Sequence, residues 1–167
     1  MDKDVFKDKA ALLKNAIKGE EDGIAFYDLL ADRAVNPEAR RRLENLRDDE
    51  KRHKSLLTNL YRKYVGGEIG ALPAQGIGPL AKAFDKGKLK IFKSEMEYIS
   101  LAIETELAAT RFYKEGKEAI GEKEFAEILH QLSEEENSHY EILMAEKEAM
   151  AGNYHWFSSD FGAPMED

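Results

Sequence analysis

A glutamate stands three residues ahead of a histidine at Glu50 and His53 in EKRH, and again at Glu136 and His139 in ENSH. On a helix, residues three apart share a face. A carboxylate and an imidazole so placed can turn to one divalent cation. Their neighbours fix which way that face points. One segment reads Leu43, Leu46, Glu50, His53, Leu57, Leu60, Tyr64 in unbroken steps of three and four. Another reads Leu129, Leu132, Glu136, His139, Leu143 on the same steps. Acid and imidazole therefore interrupt stripes that should face a core.

Two further stripes carry a lone acid at the same height: Leu13, Ile17, Glu20, Ile24, Tyr27, and Ile99, Ile103, Glu106, Thr110, Tyr113. Buried ionised carboxylates are too costly to leave unpaired, and these stripes carry few basic residues. Two divalent cations would balance four glutamates, with the imidazoles completing the shells. The expected metal set is Glu20, Glu50, His53, Glu106, Glu136 and His139. Oxygen-rich ligation with one histidine per metal suits iron or manganese better than a structural zinc site. Iron, manganese, zinc or a mixed pair would all accept these ligands. One Glu from each of two helices and Glu-x-x-His from each of two others is the pattern of di-metal bundles.

Four long helices must position these residues, roughly 3–34, 37–64, 94–120 and 122–151. None of the four prolines falls inside a periodic segment, and six of the twelve glycines lie between Gly66 and Gly87. Asn36 before Pro37 reads as an N-cap, and SEME (94–97) as a capping box. The glycine-rich stretch GGEIGALPAQGIGPL connects the two pairs, with a short helix after it. Adding 86 carries Glu20 to Glu106, Phe26 to Phe112, Tyr27 to Tyr113, Glu50 to Glu136 and His53 to His139. The chain is thus a duplicated helical hairpin. Residues 20 and 50 have their midpoint at 35, beside Asn36-Pro37, and 106 and 136 have theirs at Gly121. Breakers and stripes independently place the acids level with each other.

The predicted fold is all-α: a four-helix bundle over residues 1–150, with a crossover linker at about 65–84. A linker of about 18–20 residues spans some 60 Å, more than the roughly 42 Å of a 28-residue helix. The tail, 151–167, carries Tyr154, Trp156, Phe157 and Phe161, rings expected to dock on the bundle or on a partner chain.

Bulk composition narrows the function classes. A chain of 167 residues, 43% hydrophobic and 35% charged, is long enough for one domain with a real core. The absence of cysteine removes disulfides, thiolate metal sites, iron–sulfur clusters and a cysteine nucleophile. A net charge of −8 argues against nucleic-acid binding. The run RRRLENLRDDEKRHK (40–54) interleaves acids throughout and reads as a solvated helix face. No apolar run reaches membrane-span length. The charged N-terminus is unlike a signal peptide, so a cytoplasmic location is expected. The linker lacks the lysine of a phosphate loop. Glu104 sits off the stripe and the repeat and is expected at the surface, as are His130 and His155.

With Glu20 and FY at 26–27, EKRH at 50–53, Glu106 and FY at 112–113, and ENSH at 136–139, the sequence resembles the ferritin-like superfamily. Within it, the sequence looks like the rubrerythrin di-iron domain, over nearly all of residues 3–150. The resemblance implies a bundle whose two hairpins are joined by a long crossover. It implies a centre of two iron ions that, when reduced, reacts with hydrogen peroxide or dioxygen. By analogy Glu50 and Glu136 would bridge, Glu20 and Glu106 would bind terminally, and His53 and His139 would each ligate one iron. Tyr27 and Tyr113 would hydrogen-bond ligand carboxylates or take part in electron transfer; otherwise they are large core residues whose hydroxyls reach a polar partner. Full-length rubrerythrins carry a four-cysteine rubredoxin domain, and this chain has no cysteine. Electrons would then come from a separate donor such as a rubredoxin-type protein. Many also carry an extra glutamate one turn after the third-helix ligand, where this chain has Ala109. The expected activity is a non-haem di-iron peroxidase or oxidase. The alternative is an iron-binding, storage-related or sensing module without significant turnover. A homodimer is expected, because such bundles associate and the aromatic tail offers apolar surface.

Overall fold

The computed structural model describes residues 3–74, 76–85, 88–89 and 94–157. Four long helices form two antiparallel hairpins: α1 (Lys9–Arg33) with α2 (Pro37–Tyr64), and α4 (Glu95–Ala119) with α5 (Lys123–Ala149). The crossover between them contains a one-turn helix, α3 (Leu80–Ala83), and a two-residue antiparallel pair, β1 (Phe84–Asp85) with β2 (Lys88–Leu89). No helix among the described residues is long and apolar enough to cross a membrane.

Local chemistry sets the helix ends. The Asn36 side chain accepts hydrogen bonds from the Glu38 and Ala39 amides, so Pro37 opens α2 with no wasted donor. Ser94 and Glu97 close a reciprocal capping box on α4. The N-terminal boundary departs from the sequence expectation of one helix from residue 3. Lys3–Lys7 form a separate 3-10 turn, and α1 begins at Lys9. Asp8 causes the break. Its carboxylate accepts from the Ala10 amide, and this local bond competes with helical continuation.

The buried side chains divide into two apolar clusters. One gathers Phe26, Leu30, Leu43, Leu46, Ile99 and Leu143, and the other Leu13, Ile17, Leu57, Phe112, Leu129 and Leu132. The layer between them is polar. It contains Glu20, Glu50, His53, Glu106, Glu136 and His139, each at most 5% exposed. Each stripe thus passes from one apolar cluster through its acid to the other, as its spacing predicts.

The described part of the tail, 151–157, docks on its own chain. Trp156 and Phe157 are buried in the first cluster. The Trp156 indole N–H and the Tyr154 hydroxyl both donate to Glu146, which also pairs with Arg42. The Trp156 carbonyl accepts from Val35 and Asn36 at the α1–α2 turn. These two rings therefore offer no apolar surface to a partner, which removes them from the argument for a homodimer. Phe161 lies outside the described residues.

Candidate metal centre

Glu20 on α1, Glu50 and His53 on α2, Glu106 on α4, and Glu136 and His139 on α5 converge at mid-bundle. Their donor atoms fall into two groups: Glu20, Glu50, His53 and Glu136, and Glu50, Glu106, Glu136 and His139. Within each group the atoms lie within 4.8 Å of one another. Glu50 and Glu136 belong to both. Each group takes three residues from one hairpin and one from the other.

The imidazoles point their Nδ1 atoms inward. His53 Nδ1 is 2.9 Å from Glu136 and 3.5 Å from Glu20. His139 Nδ1 is 3.2 Å from Glu136, 3.4 Å from Glu50 and 3.7 Å from Glu106. The two rings stack with centroids 5.6 Å apart. Glu104 is exposed, as expected, and so is His155, while His130 is half-buried. Asp22, next but one to Glu20, is buried but pairs with Lys18 instead.

This cluster concentrates negative charge that the protein alone balances poorly. Burial, together with repulsion from Glu136 and Glu20, pushes Glu50 well above the usual carboxylate range. Burial and Glu136 push Glu106 up to about 8. Glu136 goes the other way. Burial opposes its charge, but His139 and His53 hold it well below the usual range. Burial also opposes charge on His53, yet Glu136 and Glu20 raise it to about 12. His139 is raised likewise by Glu106, Glu136 and Glu50, against its burial.

A pair of divalent cations fits this donor set. Glu20 Oε2, Glu50 Oε1 and Glu136 Oε1 are buried and make no regular hydrogen bond; their nearest polar neighbours are the imidazole Nδ1 atoms, with His53 Nδ1 2.9 Å from Glu136 Oε1. Orphaned buried acceptors are rare in folded proteins, and here they face one another across a common centre. Gly23 contributes space: a Cβ there would lie 3.1 Å from Glu50 Oε2. Two further carboxylate oxygens are held across the hairpins. The Tyr27 hydroxyl on α1 donates to Glu106 on α4, and the Tyr113 hydroxyl on α4 donates to Glu20 on α1. Burial, then the neighbouring carboxylates, raise both phenols well above their ordinary range, which keeps them protonated donors.

Two acids in contact with this cluster were missed in the sequence. His53 Nε2 lies 2.8 Å from Glu135, and His139 Nε2 lies 3.3 Å from Asp49. Each outward carboxylate favours a proton on Nε2, which leaves the Nδ1 lone pair of a neutral ring aimed at the centre. The signal was present: 49 and 135 also differ by 86, and each stands just before its Glu-x-x-His. Burial works against charge on Glu135, but Arg52, Gln131 and His53 hold it down at about 2. Asp49→Asn and Glu135→Gln keep shape and delete charge. Each is expected to weaken metal affinity by about 10–100-fold, read by competition with a chelator.

The family model for rubrerythrin matches residues 11–147, a span that includes all six converging residues and both tyrosines. The chain belongs to the rubrerythrin family. A solved structure of a hypothetical protein from Pyrococcus furiosus has the same fold, with a TM-score of 0.75 and 29% sequence identity. The similarity covers 86% of this chain and 90% of that one. No curated protein matches the chain. As rubrerythrin-family proteins are typically di-iron and ferritin-like, the buried carboxylate–histidine cluster is the part of this fold suited to metal. The match includes no cysteine-rich rubredoxin portion, since the sequence has no cysteine.

Proposed function

We propose that this rubrerythrin-family protein is a di-iron oxidoreductase that reduces hydrogen peroxide or dioxygen, with electrons from a separate donor. The observation that carries this reading is the pair of buried donor groups that share Glu50 and Glu136, with carboxylate oxygens that make no regular hydrogen bond. Glu50 and Glu136 would serve both metal positions, Glu20 and Glu106 one each, and His53 and His139 one each. Two iron ions, when bound, would supply one electron each to break an oxygen–oxygen bond. Hydrogen peroxide takes up those electrons and two protons and leaves as two waters.

The chain's own residues have definable tasks. Tyr27 and Tyr113 each hold one oxygen of Glu106 and Glu20, leaving the second oxygen free to turn. Glu135 and Asp49 fix the imidazole planes. The two apolar clusters exclude water from both sides of the layer, which strengthens every charge interaction within it.

The test is metal analysis of protein prepared without oxygen, followed by rapid mixing of the reduced form with peroxide and, separately, with oxygen. About two iron ions per chain are expected, with oxidation by at least one of the two within seconds. Tight, reversible iron uptake with oxidation on the scale of hours by both would favour a storage or sensing module.

A further inference from the structure

A small cavity abuts the metal centre on the side away from the histidines. It measures about 20 Å³ and touches all four glutamates but neither His53 nor His139. On α1 and α4 it is lined by the small residues Gly19, Gly23, Thr105 and Ala109, with the rings of Phe26 and Tyr27 at one end. These are two repeat-related pairs, since 19 and 23 become 105 and 109 on adding 86. The remaining side is closed by Ile77 and Leu80 of the crossover.

The crossover is fastened over this site. Ile77 is 6% exposed, and its Cδ1 would lie 3.2 Å from a Cβ placed on Gly19. Gly78 has φ +75°, and a Cβ there would lie 2.8 Å from Ala108 Cβ. Only glycine permits that backbone at that approach. Residue 77 is thereby wedged between α1 and α4, directly over the carboxylates.

We infer that Ile77 sets the size limit on the oxidant: the narrow space beside it admits hydrogen peroxide or dioxygen and rejects alkyl hydroperoxides. The inference rests on the functional reading above and adds the residue that selects the substrate. A cavity of about 20 Å³ exceeds the roughly 10–15 Å³ that one water needs. It accommodates two oxygen atoms and has no room for a branched alkyl group. An alkyl hydroperoxide would undergo the same two-electron cleavage, giving an alcohol and water, so its exclusion is steric.

The test compares wild type, Ile77→Val and Ile77→Ala as full chains. In the first arm, the reduced iron-loaded proteins are mixed with hydrogen peroxide and with tert-butyl hydroperoxide. Wild type should prefer hydrogen peroxide by about 100-fold or more. Ile77→Ala should speed the alkyl reaction by about tenfold or more and change the peroxide rate by less than about threefold, with Ile77→Val between. In the second arm, cobalt-loaded proteins are titrated with azide and with pivalate, and the visible spectrum is followed. Azide should perturb all three, and pivalate only the alanine variant. Equal use of both hydroperoxides by wild type, or an unchanged ratio and unchanged pivalate response in both variants, overturns the inference. Should wild type react with neither peroxide nor oxygen, the functional reading fails while the cobalt arm still decides whether Ile77 is the gate. If the alanine variant does not hold two metals, the valine variant decides through its graded shift.

Discussion

Glu50→Gln and Glu136→Gln are each expected to lower bound metal from about two ions per chain to well under one, while Glu104→Gln keeps the full complement. Glu50 and Glu136 are common to both donor groups, so an amide at either damages both positions together. Glu104 is exposed and serves as the matched control. Elemental analysis after gel filtration reads this directly, and equal retention in all three variants would remove the ligand assignment. The same two substitutions should part company in the metal-free protein. Glu136 is the nearest carboxylate to both Nδ1 atoms, at 2.9 Å and 3.2 Å. Removing its charge leaves two buried imidazoles without their shared partner and should destabilise the fold by several kcal/mol, on the order of 3–5. Glu50 is instead pushed well above the usual carboxylate range by burial and by Glu136 and Glu20, so its ionised form is the one the metal-free site disfavours. Its replacement by glutamine should leave the metal-free melting temperature unchanged or higher.

Metal removal should reverse the sign of the protein's pH dependence. In the metal-free native state Glu106 holds its proton up to about 8, against an ordinary value of 4.5. His53 keeps its proton to about 12, against 6.5. Glu50 and His139 are displaced upward too. Between about pH 5 and 8 the native state therefore binds more protons than the unfolded chain. Stability is greatest at the acid end of that window and falls as pH rises. Each extra native-state proton steepens the fall by about 1.4 kcal/mol per pH unit. The downward shifts of Glu136 and Glu135 act in the opposite sense but only at acid pH, below the ordinary carboxylate value. A drop of roughly 5–15 °C in melting temperature from about pH 5.5 to 7.5 is expected. With metal bound the slope inverts, because the ligands must be deprotonated to bind. Parallel melting curves for the two forms would contradict this account.

The architecture was legible because one constraint wrote itself into the sequence twice. A buried polar layer must fall at the same height in all four helices, so acids interrupt each apolar stripe, and the repeat displays the interruption at 20, 50, 106 and 136. Helix ends were readable where a cap has a dedicated side chain, as at Asn36 and Ser94. They were less so at Asp8, whose break looks in sequence like one more charged residue among Lys3, Asp4 and Lys7. Asp49 and Glu135 escaped notice because they occupy surface-facing steps beside the stripe, where acids are common. Only the imidazole rings, reaching outward past the stripe, bring them into the site. The crossover was recognisable as a connector by its glycines, but its path was not. That Ile77 lies over the carboxylates follows from how Gly78 packs on Ala108, a long-range fit with no periodic trace. Trp156 and Phe157 were visibly apolar, yet their seat depends on Glu146, an acid buried near the end of α5 that binds the tail.

Each donor group draws three residues from one hairpin and one from the other, and each tyrosine steadies a carboxylate across the same divide. A protein of half this length, one hairpin alone, could assemble neither position by itself. Two copies facing each other about a twofold axis could assemble both, each lending its Glu-x-x-His glutamate to its neighbour. The duplication in this chain thus has the geometry of an ancestral symmetric pair made covalent, with the segment that joined the copies now lying across the mouth of the site they share.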